Sequence, residues 1–312
     1  MATQELIAGA QPEAFRLRAE RRRFGEVVVK ACLALCALVS IATTVGIVVA
    51  LLVPSIQFFR EVSIVDFFTD GRWAPLFEPP SYGVRPLLVG TLVITFWACV
   101  VCLPCGLGAA IYMSEYARPR VRNVLKPALE TLAGIPTVVL GFFALTFLTP
   151  HLQDLGLDVG VFNVLAAGTA VGILLIPVVA SVSEDAMVAV PQDLRDGAYA
   201  LGSSRLQVST RIVVPAAISG IVASFVLAIS RAIGETMIVL IAAGGIAQVT
   251  FDPRDQVQTM TAFIGATGIG DVATGSIEYR TIFAVGLTLF VITFVMNMIS
   301  IRLVRKFRDV YE

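Results

Sequence analysis

Apolar residues in this chain come in long unbroken runs, separated by shorter polar segments that hold most of the charge. Neither the alternation of a half-buried strand nor the narrow stripe of a soluble helix accounts for runs of that length. Six of them, at 31–53, 86–113, 131–150, 159–183, 212–230 and 281–301, contain no charged side chain. Each reaches the roughly 18 to 20 residues that a helix needs to cross about 30 Å of hydrocarbon. The expected fold is an all-α polytopic membrane protein with six transmembrane helices, at about 31–53, 86–113, 127–150, 159–183, 212–244 and 281–301. The first run follows a basic segment, but it is too long and starts too far into the chain for a cleaved signal peptide, so it reads as a retained helix.

The polar segments differ in character. Residues 1–30 form a cytoplasmic N-terminal segment that ends in an Arg-rich amphipathic stretch suited to a membrane surface. The extracytoplasmic loop 54–85 carries Phe58, Phe59, Phe67, Phe68, Trp73 and Tyr82, too many aromatics for a disordered linker, and it reads as compact. Residues 252–280 are rich in Gly, Thr and Asp around an apolar patch at 260–264, which either dips toward the membrane or lines the outer mouth. Gly265, Gly268 and Gly270 there read as flexible loop, with no preceding strand to make a nucleotide fingerprint. Residues 184–211 are expected to hold two short helices, one opening near Pro191 and ending at Gly202-Ser203-Ser204, the next leading to Pro215. On the first, Leu194, Ala198 and Leu201 recur at helical spacing beside Asp193, Arg195 and Asp196, a stripe suited to a partner's groove. A core at 86–303 and a tail at 304–312 complete the division.

Composition agrees with a lipid setting: 57% hydrophobic residues and 15% charged ones, with a mean hydropathy of +0.85. The net charge of +0 conceals a segregation by loop. Basic residues crowd the segments at 16–30, 118–126, 195–211 and 302–308, while the intervening loops keep only Arg60, Arg72, Arg85, Arg254 and Arg280. By the positive-inside rule both termini are cytoplasmic. Clusters that flank spans and alternate with them act as orientation signals, so no nucleic-acid partner is expected. Cys32, Cys36, Cys99, Cys102 and Cys105 all fall in apolar runs and behave as small hydrophobes; with no further ligand beside 99–105, packing is preferred to a metal site. His151, the one histidine, is a loop-end residue after the third run. Gly168 and Gly172 have a spacing compatible with close helix packing, but glycine is common in membrane helices and no function is assigned to them.

The chemistry is sparse. A membrane-embedded enzyme would need a serine with a helical histidine, paired carboxylates or a metal motif, and none is present. A phosphate-cradling P-loop needs Gly-Lys-Ser or Gly-Lys-Thr, and Lys30, Lys126 and Lys306 precede Ala, Pro and Phe, so no ATP is expected to bind this chain. The candidate site is Arg231-Ala-Ile-Gly-Glu235-Thr236, in an otherwise apolar run where ionised groups must face protein or water. Spacing of four puts Arg231 and Glu235 on one helix face, where they can pair and tie helices together, and the guanidinium fork also matches a tetrahedral oxyanion. Thr236 adds a hydroxyl.

Asp196-Gly197-Ala198, then Gly202, then Ile212-Val213-Val214-Pro215 resembles the cytoplasmic signature of type I ABC-importer permeases, Glu-Ala-Ala, Gly, Ile-x-Leu-Pro, with the same gaps. Asp replaces Glu, Gly the first Ala and Val the Leu. The resemblance implies a MetI-like permease core, and that 184–211 is the loop whose coupling helices lie in a cleft of a separate ATPase subunit, with Asp196, Gly197, Ala198, Leu201 and Gly202 as contacts. Ser230-Arg231-Ala-Ile-Gly-Glu235-Thr236-Met237 is similar to the stretch that marks phosphate-specific permeases of PstC type. Phe67-Phe68, Trp73-Ala-Pro75, Gly90-Thr91-Leu92, Pro104-x-Gly106, Tyr112-x-Ser114-Glu115-Tyr116 and Leu132-Ala-Gly134-Ile-Pro136-Thr137 resemble that family's landmarks in order.

That resemblance implies a non-catalytic subunit of a phosphate importer in a bacterial inner membrane. Its expected partners are a second permease chain of PstA type, two ATP-binding subunits of PstB type that carry ATP and Mg, and an extracytoplasmic phosphate-binding protein of PstS type. The expected substrate path is Arg231, Glu235 and Thr236. Permeases for molybdate or sulfate share the fold, and an ATP-independent secondary transporter is the rival that lacks a use for the coupling-type loop.

Overall fold

A computed structural model describes the backbone of residues 23–307 and the side chains of 25–302. The surface anchor expected within 1–30 and the tail at 304–312 lie largely outside the described residues. The chain divides after Ala50 into two units. The described part of the first belongs to helix α1, Arg23–Glu61, which runs past both ends of the expected first span and through Pro54. The Ser55 hydroxyl beside the proline donates to the Leu51 carbonyl at 2.6 Å, which satisfies this buried side chain within its own helix.

The second unit begins with the end of α1 and the short helix α2, Ile64–Thr69. The antiparallel pair β1, Trp73–Ala74, and β2, Ser81–Tyr82, follows. Phe58, Phe67 and Trp73 are buried together, Trp73 lies edge-on to Phe263 at 4.9 Å, and the expected compact loop is thus a small aromatic core. Helix α3, Arg85–Ile111, continues into a π turn at Tyr112–Tyr116. Helix α4, Pro119–Ala133, is followed by α5, Thr137–Phe143, a π turn at Ala144–Leu148, and α6, Thr149–Asp154. Then come α7, Val164–Val188, α8, Gln192–Ala200, and α9, Arg205–Val208. A π turn at Ser209–Val213 leads to α10, Val214–Ala216, and α11, Ile218–Ile233. Last are α12, Met237–Ala242, α13, Met260–Gly268, and α14, Ile277–Phe307.

Four of the described helices are long and apolar enough to cross a membrane, or six spans result if each of two bent pairs counts as one. The expected third span at 127–150 is not one straight rod: α4 meets the run Thr137–Asp154 at 88°. Pro136 is the cause, because it disfavours helical geometry at Ile135 and restarts the helix from its own position. The expected fifth span at 212–244 is likewise divided, bent by 71° before Ile218 and broken again after Ile233. Gly265 and Gly268 are helical residues of α13 rather than loop. In the apolar patch at 260–264, Met260, Thr261, Ala262 and Phe263 are buried within the protein, and the Thr259 side chain caps the helix they begin.

Helices α3 and α7 lie side by side in the same direction and form the spine of this unit. A Cβ added at Gly168 would meet the Trp97 Cβ at 2.8 Å, one at Gly172 the Val101 Cβ at 2.7 Å, and one at Gly106 the Val179 Cβ at 2.6 Å. Absent side chains let the two backbones approach, which is how helices associate where lipid offers no hydrophobic drive. Helix α11 packs antiparallel on α7, with the buried Ser183 and Ser224 hydroxyls 2.7 Å apart. The ends of α3 and α7 and the start of α11 therefore share one end of the bundle with α8. The starts of α3, α7 and α14 share the opposite end with the aromatic core.

Gly172→Val should overpack the α3–α7 contact and cost about 1 to 3 kcal/mol. The expected outcome is a clearly lower melting temperature in detergent, with no loss for Gly108→Ala, whose added methyl meets nothing.

Candidate functional site

At one end of the bundle the chain leaves α7, turns at Pro191 and forms α8. The turn after α8 is a Schellman closure: the Ser203 N–H donates to the Ala198 carbonyl, the Gly202 N–H to the Tyr199 carbonyl, and Gly202 takes φ of +82°. Gly202 is thus required by local geometry. A capping box between Ser204 and Gln207 starts the next helix. The stripe expected on α8 is split. Ala198 is buried in the chain's own core beside Val190, Val208 and Val213, whereas Leu194, Tyr199 and Leu201 face out, Leu201 at 88% exposure. Asp196 and Gly197 are exposed, and nothing lies within 4 Å of a Cβ added at Gly197. The surface open to a partner is therefore Leu194, Asp196, Gly197, Tyr199 and Leu201, with Ala198 serving the fold.

Arg195, expected among the outer charges of α8, is buried instead. Its guanidinium donates to the carbonyls of Val190 at 2.6 Å and Met187 at 2.7 Å, and to Glu115 Oε1 at 3.3 Å. Met187 is in the last turn of α7, where carbonyls lack helical partners and the helix dipole favours a cation. Next to it, Glu184 is wholly buried and forms ion pairs with Arg122 and, at 2.8 Å, with Lys126; Lys126 also reaches Asp185 at 2.6 Å. These contacts tie α4 to the end of α7. Glu184 is the enclosed member of this cluster and both cations are partly exposed, so the carboxylate depends on the cations more than they depend on it.

Sequence reasoning missed this cluster. Arg122, Lys126 and Arg195 were legible only as orientation charges and Glu115 only as part of a motif. The overlooked signal was the two carboxylates, Glu115 and Glu184, bordering apolar runs at the end where the basic residues gather.

The second candidate region differs more from expectation. Gly234 ends α11, so Arg231 and Glu235 do not share a helix face and do not pair. Arg231 sits exposed on the last turn of α11 and makes no ion pair among the described residues. Glu235 turns the other way: its Oε1 accepts the N–H groups of Met237 at 3.1 Å and Ile238 at 3.3 Å, capping α12. The Thr236 hydroxyl donates to the Gly234 carbonyl at 3.2 Å, and the Thr261 hydroxyl to the Glu235 carbonyl at 2.6 Å. The structure thus brings Glu235, Thr236 and α13 together in a break between half-helices and leaves Arg231 as an exposed cation beside it.

The cavities at the opposite end suit an anion less well. One of about 580 Å³ is walled by Trp73, Phe77 and Phe263 with Asp271, and no cationic side chain lines it. Another, of about 350 Å³, holds Asp158, Asp252 and Asp255 against Arg254 alone. That guanidinium is engaged by both carboxylate oxygens of Asp252 at 2.5 to 3.1 Å and holds its pKa down at about 2.

Comparison with known proteins agrees with this anatomy. Residues 103–309 match the family described as binding-protein-dependent transport system inner membrane component. A probable ABC transporter permease protein of Bacillus subtilis is 35% identical over 90% of this chain and 91% of its own length. Two phosphate transport system permease proteins are similar as well: that of Mesorhizobium japonicum at 30% identity over 75% of this chain and 76% of its own, and one of Mycobacterium tuberculosis at 33% over 76% of each. Among solved structures, a chain of a bacterial alginate ABC transporter shares the fold with a TM-score of 0.64 at 16% identity, covering 91% of this chain and 98% of that one. A chain of the MetNI methionine transporter does so with a TM-score of 0.54 at 19% identity, over 73% and 95%.

Exposure of Arg231 can be checked by accessibility. With the five native cysteines replaced, Arg231→Cys should react with a charged, membrane-impermeant thiol reagent at least about tenfold faster than Ile233→Cys, which is buried. Equal protection of both would place Arg231 away from water.

Proposed function

Because the chain belongs to the family of inner-membrane components of binding-protein-dependent transport systems, it is a multi-pass permease subunit of an ATP-binding-cassette importer, and we propose that its cargo is inorganic phosphate. The observation that carries the substrate is Arg231, a guanidinium in an apolar chain segment with no carboxylate ion-paired to it among the described residues. Two of the similar proteins that cover most of the chain are named as phosphate permeases. A guanidinium offers a donor fork matched to two oxygens of a tetrahedral anion. Transit requires a site that releases as readily as it captures. Glu235 acts in this reading through structure: by capping α12 it holds the break open beside Arg231, with Thr236 lining it.

In the same proposal α8 sits in a cleft of an ATPase subunit, with Leu194, Tyr199 and Leu201 as its apolar contacts. ATP and its Mg ion belong to two such subunits, a second permease chain completes the pathway, and an external binding protein delivers the anion. The end of the bundle that carries α8 is then cytoplasmic, as the segregation of basic residues requires.

The test is uptake into proteoliposomes that hold this chain with its co-purified partners, ATP inside and binding protein outside. ATP-dependent phosphate uptake that excess sulfate or molybdate does not reduce is the expected result, and Arg231→Gln should lower it by about tenfold or more with assembly intact. Uptake of sulfate or molybdate instead would replace the substrate, and flux without ATP would overturn the importer assignment.

A further inference from the structure

We infer that Arg195 is the rigid joint that transmits displacement of α8 to α3 as well as to α7, a positioning residue for energy coupling that lies outside the anion path. The inference rests on the importer reading and adds to it the route by which force leaves the coupling helix.

Helix α8 has few other ties to the body of the protein. It follows α7 through a short link ending at Pro191, and apart from Arg195 its one buried side chain is Ala198. Its larger apolar residues, Leu194, Tyr199 and Leu201, all face outward. A helix held by an alanine and by the short links at its two ends would tilt or slide under load. The Arg195 fork prevents this by reaching back into the body. Two of its bonds end on the carbonyls of Met187 and Val190, which fixes α8 to the end of α7. The third ends on Glu115, eighty residues earlier in the chain, in the π turn Tyr112–Tyr116 that finishes α3. Both side chains of this ion pair are nearly buried, at 11% and 5% exposure, so water screens it little. Glu115 is held in turn by the Ser114 hydroxyl at 2.9 Å.

One planar group therefore meets three elements at once: α8 that carries it, the end of α7 and the end of α3. A lysine cannot reproduce this, because a single ammonium does not span a fork whose donors point to separate acceptors. Helices α3 and α7 are the spine of the bundle, so a joint to both turns a push on α8 into movement of the spine as one body, the rigid-element behaviour that interface-driven rotations need. A joint to α7 alone would let α3 lag.

The variants Arg195→Lys and Glu115→Gln test this in the assembled transporter, with the chain, its partner permease and both ATPase subunits in proteoliposomes. The readout is phosphate moved per ATP hydrolysed, beside the amount of ATPase subunit that co-purifies. Glu115→Gln keeps the side-chain size and leaves both backbone bonds of Arg195 in place, so it assembles even where changes at Arg195 do not. The expected result is retained assembly and retained binding-protein-stimulated ATP hydrolysis, with the transport-to-hydrolysis ratio down by roughly tenfold, the shift that loss of the counter-charge of one nearly buried ion pair brings to a two-state equilibrium. An unchanged ratio in Glu115→Gln overturns the inference, as does a parallel fall of hydrolysis and transport, which marks a role in ATPase docking. Absence of ATP-driven phosphate uptake by the unaltered complex is a separate outcome: it overturns the functional reading on which the joint depends.

Discussion

Burial of charge at the end of α7 is the constraint around which this structure is arranged. Glu184 is fully enclosed, and an ionised carboxylate in such a place survives only with cations brought to it. Arg122 and Lys126 supply them, and supplying them sets where α4 must lie, folded by 88° away from the span that follows it. A few residues on, Arg195 inverts the arrangement: here a buried cation finds two backbone carbonyls and Glu115. Two opposite buried charges, each answered from a different part of the sequence, thus fix α3, α4, α7 and α8 at a common end. Hydrophobic burial could not do so alone, since lipid tails compete equally for apolar side chains.

Away from that end the bundle relies on close approach and on capped breaks. Gly106, Gly168 and Gly172 bring α3 and α7 together along most of their length. At the opposite end Asn163 caps α7 by accepting from the Ala166 N–H at 2.7 Å, and the N–H groups of Val164 and Leu165 are satisfied by the carbonyls of Asp255 and Pro253. The break after α11 follows the same logic, with Glu235 and Thr261 meeting backbone groups that an unbroken helix would have paired internally. Non-helical backbone at membrane depth is tolerable where protein or water answers it, and such breaks are where permeant ions find polar surroundings. Arg231 stands beside this one.

Much of this was legible in the sequence because hydrocarbon imposes one strong rule. Uncharged runs marked the helical membrane class and four to six candidate spans, and spacing around Asp196, Gly202 and Pro215 marked the loop that carries α8. Bounds were less legible. The apolar runs at 127–150 and 212–244 contain the breaks at Pro136, Ala217 and Gly234, which hydropathy does not register because proline, alanine and glycine are all compatible with lipid. The supposed Arg231–Glu235 pair failed for the same reason: spacing of four assumes a continuous helix, and Gly234 ends it. The role of Arg195 was hidden for a different reason. Its partners, Glu115, Met187 and Val190, are set by how three helix ends converge, and nothing local in the sequence separates a buried arginine from the solvated ones around it.

The central claim is that α8 moves as one body with the spine of the bundle. Distance measurement between paired spin labels in the assembled transporter tests it most directly. One label replaces Leu201, which caps the end of α8, and the other Leu92 in the first third of α3, both exposed positions; from Leu92 to Ile111, where α3 ends, is about 28 Å at the helical rise, which is a measurable span. The account predicts that the Leu201–Leu92 distribution stays narrow and unshifted when the ATPase subunits are trapped with nucleotide. A Leu201–Leu92 distance that broadens or changes with nucleotide would contradict it.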